Sequence, residues 1–142
     1  QLDQAIAQFS QAIALELNNA DYYFSRGLAY ADMGNFLSAI QDYSQALRLD
    51  NRFASAYYNR GLAQFALRQA DRAIADFSQA LALDPEFIAA YYSRGMAYYD
   101  QGNIELARQD YNRAHRLNPQ LAEGFYDQGF VRPLVGGDER LR

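Results

Sequence analysis

Apolar residues recur along the chain at steps of three and four, as in Ala39, Ile40, Tyr43, Ala46 and Leu47 and again in Ala73, Ile74, Phe77, Ala80 and Leu81. On a helix of about 3.6 residues per turn this spacing gathers the apolar side chains on one face, so each stretch predicts an amphipathic α-helix. No stretch sustains the alternation that a strand would show. Gly34-Asn35, Gly102-Asn103 and Gly136-Gly137 interrupt the pattern, and they suit tight turns because Gly tolerates positive φ. Further breaks fall at Asp50-Asn51, Asp84-Pro85 and Asn118-Pro119, where Pro ends one helix and the polar residue is expected to cap the next.

These breaks are periodic. Gly27, Gly61, Gly95 and Gly129 are evenly spaced at a period of 34, and Tyr23, Tyr57, Tyr91 and Phe125 keep the same period, each a helical turn before its Gly. Ala39, Ala73 and Ala107 follow at that period, then Tyr43, Phe77 and Tyr111, then Ala46, Ala80 and Ala114. Ala5, Phe9 and Ala12 carry the second half of the pattern one unit further back. The chain therefore divides into 1–19, a lone second helix; three full units, 20–53, 54–87 and 88–121; and 122–142, a partial unit or cap. Each full unit reads as helix A, a turn, helix B and a short link. The Gly of helix A and the Ala of helix B lack the bulk that would hold two helices apart, and the aromatics fill the space beside that contact.

Composition adds exclusions. The 142 residues are 50% hydrophobic and 21% charged, the balance of an ordinary globular domain, and a chain of this length buries roughly two-thirds of its unfolded surface without a disulfide or metal. There is no Cys, so redox compartment is not encoded. All 13 cations are Arg, and 17 acidic residues leave a net charge of −4, which disfavours nucleic acid and anionic lipid. No apolar stretch approaches the roughly 20 residues of a membrane span. Gln1-Leu2-Asp3 begins neither a signal peptide nor an open reading frame, so the sequence reads as a trimmed piece, soluble and assigned to the cytoplasm by default.

Chemistry is sparse. One His, no Cys and no phosphate loop leave no catalytic residue, metal site or cofactor to assign. His115 and Arg108 stand where earlier units have Leu47 and Ile40, as in a terminal repeat turning polar. A second regularity sets Asp42, Asp76 and Asp110 at one constant offset after Arg26, Arg60 and Arg94. Each Arg is expected to bridge to the Asp of its own unit, either as a tie holding helix A on helix B or as a partly solvated pair of about 0–1 kcal/mol.

The period and its order of residues (aromatic, Gly four later, a second aromatic, Ala, aromatic, Ala, Pro) resemble the tetratricopeptide repeat. Asn51 in place of the closing Pro and Gln64 in place of the second aromatic are departures. The resemblance implies an all-α, right-handed superhelical solenoid of antiparallel helix pairs, with helix A lining the concave side, and it implies binding as the function. One step round helix A from the core aromatics stand Phe24, Tyr58, Tyr92 and Tyr126, followed by Leu28, Leu62, Met96 and Phe130, then Phe65 and Tyr99. These either line a peptide-binding groove or fill the space between repeats. Relatives that clamp the acidic terminus of chaperones carry Lys and Asn at the places of Phe24 and Leu28, and Lys and Arg at those of Ala89 and Ser93; only Asn59 matches.

With Asp21, Asp32, Asp100, Glu123 and Asp127 near the groove, the expected partner is a protein or peptide segment, apolar with some basic residues. The alternative is a self-assembly module, a homo-oligomer joined head to tail through the unfinished half repeats at its two ends.

Overall fold

The computed structural model describes residues 1–120. Over these the chain forms seven α-helices: α1 (Leu2–Leu15), α2 (Ala20–Asp32), α3 (Phe36–Leu49), α4 (Ala54–Ala66), α5 (Ala70–Leu83), α6 (Ile88–Asp100) and α7 (Ile104–Leu117). No strand occurs among the described residues. The helices pack in sequence order: α2 on α3, α4 on α5, α6 on α7, with each pair leaning on the next. In addition α2 touches α4 and α4 touches α6, contacts that α3, α5 and α7 do not match among themselves. The A-type helices α2, α4 and α6 therefore form the inside of the curve and the B-type helices the outside.

The close approach within a pair depends on glycine. A Cβ added at Gly27 would come within 2.7 Å of the Tyr43 ring; the Phe77 ring stands 2.7 Å from such an atom at Gly61 and Tyr111 2.5 Å at Gly95. These distances lie inside van der Waals contact, and the rings they meet are fully or almost fully buried. Ala39, Ala73 and Ala107 are all 0% exposed, so both expected small-residue rows lie in the core.

The turns follow the sequence in part. Gly34 and Gly102 adopt φ of +77° and +79°, as the A–B turns require, and Asn35 caps α3 by accepting from the Ser38 amide at 3.3 Å. In the links the outcome is divided: Asn19 caps α2 by accepting from the Asp21 amide at 3.0 Å, but at Asp50-Asn51 and Asp84-Pro85 the polar residues do not cap the following helix. Asp50 accepts from the Arg52 amide at 3.0 Å and Asp84 from the Glu86 amide at 3.1 Å, closing local turns. Phe53 and Phe87 then occupy the N-cap positions of α4 and α6, where neither side chain can accept a hydrogen bond. Their rings serve packing instead.

Candidate functional site: the inner face and the ties that set it

The inner face is only as regular as the placement of its helices, and one tie recurs in every full unit. Arg26 donates from Nε and Nη2 to the two carboxylate oxygens of Asp42, both at 2.8 Å. Arg60 does the same to Asp76 at 2.7 and 2.8 Å, and Arg94 to Asp110 at 2.8 and 2.6 Å. This is the planar two-bond fork that a guanidinium makes with a carboxylate. The Asp side chains are about 6–7% exposed and the Arg side chains 21–22%, so the pairs are tied and largely desolvated. The carboxylate hydrogen bonds hold each guanidinium above its ordinary pKa.

The third arm of each guanidinium goes beyond what the sequence pattern suggests. Nη1 of Arg26, Arg60 and Arg94 donates to Oγ of Ser10, Ser44 and Ser78 respectively, each at 3.1 Å. Each Arg thus joins three helices: its own, the B helix of its unit through Asp, and the B helix of the preceding unit through Ser. The sequence does carry a signal for this contact. Ser10, Ser44 and Ser78 keep the common period, and each precedes its Arg by the same offset at which the Asp follows. Tyr23, Tyr57 and Tyr91 lie under these guanidinium groups at 5.7–5.8 Å from ring centroid to the charged carbon. They are less deeply placed than the Tyr43 series: Tyr23 and Tyr57 are half-buried, whereas Tyr91 is buried.

On the inner face the expected ladder divides into two layers. Phe24 packs its ring against Phe53 at 4.6 Å and Tyr43 at 5.8 Å; Tyr58 packs against Phe87 at 4.8 Å and Phe77 at 5.8 Å. Tyr92 lies 5.8 Å from Tyr111 and is only 1% exposed. These rings fill the junctions between repeats. Tyr58 also places its hydroxyl 3.4 Å from Ser93 Oγ across the α4–α6 junction, and burial raises its pKa.

Above that layer Leu28 and Leu62 are each 36% exposed and Tyr99 is 45% exposed, with Phe65 and Met96 half-buried. Asn59 donates to the Ser55 carbonyl at 2.8 Å, spending one of its amide hydrogens within α4. Asp21, Asp32 and Asp100 are exposed on the same helices. Tyr126, Phe130, Glu123 and Asp127 lie outside the described residues. Among the described residues no group of His, Asp and Glu is placed to hold a metal ion, and no helix is long and apolar enough to cross a membrane.

Comparison with known proteins agrees with this architecture. The chain matches the TPR repeat over residues 1–34 and 27–67, and the tetratricopeptide repeat over 54–87 and 88–121. No curated protein matches it. Among solved structures it is similar to MamA, with 26% identity over 95% of this chain and 83% of that one and a TM-score of 0.81. It is also similar to the TPR domain of Arabidopsis OM64, at 25% identity over 78% of this chain and 95% of that one with a TM-score of 0.70. A third similar structure is the second TPR of Spaghetti (RPAP3), bound to the HSP90 peptide SRMEEVD, at 27% identity over 70% and 92% with a TM-score of 0.68. With its repeat units matched from end to end of the described residues and its helix pairs packed as those units require, the chain belongs to the tetratricopeptide-repeat family, a fold that serves as a protein–protein interaction scaffold.

Proposed function

We propose that the inner face binds a segment of a partner protein carrying aliphatic anchors and a few Arg or Lys residues. The observation that carries this is the exposed apolar row Leu28, Leu62 and Tyr99, flanked by the exposed carboxylates Asp21, Asp32 and Asp100. Apolar side chains of the ligand would settle on the row, with Met96 and Phe65 beside it, and its cations would face the carboxylates. Phe24, Tyr58 and Tyr92 form the floor beneath. The HSP90 peptide held by the RPAP3 domain is acidic, and the Phe24, Leu28, Ala89 and Ser93 positions here offer it no cation. The groove should therefore reject SRMEEVD.

The test is a peptide array with Leu and Ile anchors among Arg and Lys, followed by titration of the strongest sequences. Leu62→Ser and Tyr99→Ala should each cost on the order of 1–2 kcal/mol of binding, and Gln41→Ala on α3 nothing. Binding that survives both inner-face changes and fails on the outer one would overturn the assignment.

Head-to-tail self-association is a second reading, favoured by α1. Ala5, Phe9 and Ala12 are only half-buried there, whereas Ala39, Tyr43 and Ala46 at the corresponding places of α3 are 0% exposed. Concentration-dependent growth in light scattering that Phe9→Asp abolishes would support it; a constant monomer mass at high concentration would remove it.

A further inference from the structure

The outer flank of the third repeat differs from the other two in charge. Three and six residues after the tied Asp stand Gln45 and Arg48 on α3, Gln79 and Ala82 on α5, and Arg113 and Arg116 on α7. Arg48 is engaged, donating from Nε to Gln45 Oε1 at 2.8 Å. Arg113 and Arg116 are exposed, and among the described residues neither has a hydrogen-bond or ion-pair partner. They border an open cleft of about 390 Å³ into which Gln109 and Asn112 also face. Neither amide has a side-chain partner among the described residues; Asn112 occupies the place of Ser44 and Ser78, and the sequence offers it Gln128 where those serines meet an Arg. The carboxylate of the cleft, Asp110, has both oxygens taken by Arg94 at 2.8 and 2.6 Å. Its charge is already paired with Arg94, and it makes no bond to Arg113 or Arg116. What remains is a cluster of donors with no protein partner among the described residues, two of them charged, on a chain whose net charge is −4.

We infer that this cleft is a second docking surface, distinct from the inner face, and that its partner is an acidic peptide segment. Two exposed guanidinium groups three residues apart on one helix, with two amides beside them, match carboxylates spaced about one helical turn apart on a ligand. A carboxylate-rich peptide suits the site better than nucleic acid, which needs an extended run of cations and would meet the acidic remainder of the chain. The scaffold would then carry two surfaces of opposite sign, one for a basic apolar segment and one for an acidic segment.

The probe is hexaglutamate with both ends capped and a dye attached, titrated by fluorescence anisotropy at about 50 mM salt, where surface charges are weakly screened. Saturable binding is expected, weakened about tenfold or more in the Arg113→Glu/Arg116→Glu double variant. Leu62→Ser on the inner face and Arg48→Glu on α3 should leave it unchanged, which separates this cleft from the groove. Equal binding to the double variant, no binding to the intact chain, or tighter binding of a short single-stranded oligonucleotide than of hexaglutamate would each overturn the inference. Both substituted side chains are solvent-exposed, so an unchanged melting curve checks that the double variant is folded.

Discussion

Residues 54–87 and the units on either side share one frame but fill it differently, and the differences separate what the fold demands from what it tolerates. All three units keep a glycine under an aromatic ring and the Arg–Asp–Ser tie, with bonds of 2.6–2.8 Å to the Asp and 3.1 Å to the Ser. Elsewhere the middle unit departs. Where Tyr30 and Tyr98 lie beneath Arg26 and Arg94, it has Gln64, buried with its Oε1 unpaired, so Arg60 rests on Tyr57 alone. Where Gly34 and Gly102 make the A–B turn, it has Arg68 at φ +64°. It gains at one position: Phe77 has no hydroxyl to satisfy, whereas the buried hydroxyl of Tyr43 has no partner. The frame is unforgiving at the Gly–ring contact and the charged tie, and lenient at the turn and the second aromatic.

The sharpest way to break this common frame is through the tie. Asp76→Ala leaves the largely buried Arg60 guanidinium without its carboxylate and should cost about 3 kcal/mol in equilibrium denaturation. Adding Arg60→Met to that variant should recover much of the loss, because the stranded charge goes with it. If the double variant is as unstable as the sum of the two single changes, the tie is not acting as a unit. Gly61→Ala comes next: its Cβ would press on a Phe77 ring that is 0% exposed and has little room to yield, for a loss of about 2 kcal/mol. A melting temperature unchanged by Gly61→Ala would show that the helices can part more easily than the packing indicates.

Most of the frame is legible in the sequence because it is periodic. The Gly and aromatic rows locate the helix pairs, and the Arg–Asp spacing locates the tie, since an Arg repeated in step with an Asp is what a bridge between two helices of one unit requires. The serines repeat just as faithfully without declaring a role. A small polar residue on a helix looks the same in sequence whether it faces water or a neighbouring guanidinium, and only the stacking of one unit on the next distinguishes the two. The inner face is half legible for a similar reason. Phe24, Tyr58 and Tyr92 stand one position beyond the core aromatics, where a ring can point into the groove or into the junction. Phe53 and Phe87, arriving from the links, draw the first two into the junction, whereas Leu28, Leu62 and Tyr99 stay accessible on the inner face.

Tyr43→Phe gives the first unit the solution of the second. The phenol is 0% exposed, burial holds its ionisation far above the ordinary range, and its oxygen lacks a hydrogen-bond partner. Deleting that oxygen removes an unsatisfied polar group while keeping the ring on Gly27, so the variant should gain about 1 kcal/mol. A loss of stability in the same unfolding assay would mean that the hydroxyl contributes a contact the packing does not reveal.

The smallest expected effect concerns the turn of the middle unit. Arg68 is the one non-glycine residue at positive φ among those described, a conformation in which a Cβ crowds the backbone at a cost of about 1–2 kcal/mol. Gly34 and Gly102 occupy the same place at φ +77° and +79° without that crowding. Arg68→Gly removes the strain and also loosens the unfolded chain, which takes back roughly 0.5–1 kcal/mol. The net gain should therefore be only about 0.5 kcal/mol, seen as a small rise in the denaturation midpoint. Arg68→Ala discriminates the cause: it shortens the side chain as Gly does but keeps the Cβ, so it should gain nothing. If Ala stabilises as much as Gly, the unfavourable element in the middle unit is the arginine side chain itself, and the strained backbone explains none of the difference between this turn and the other two.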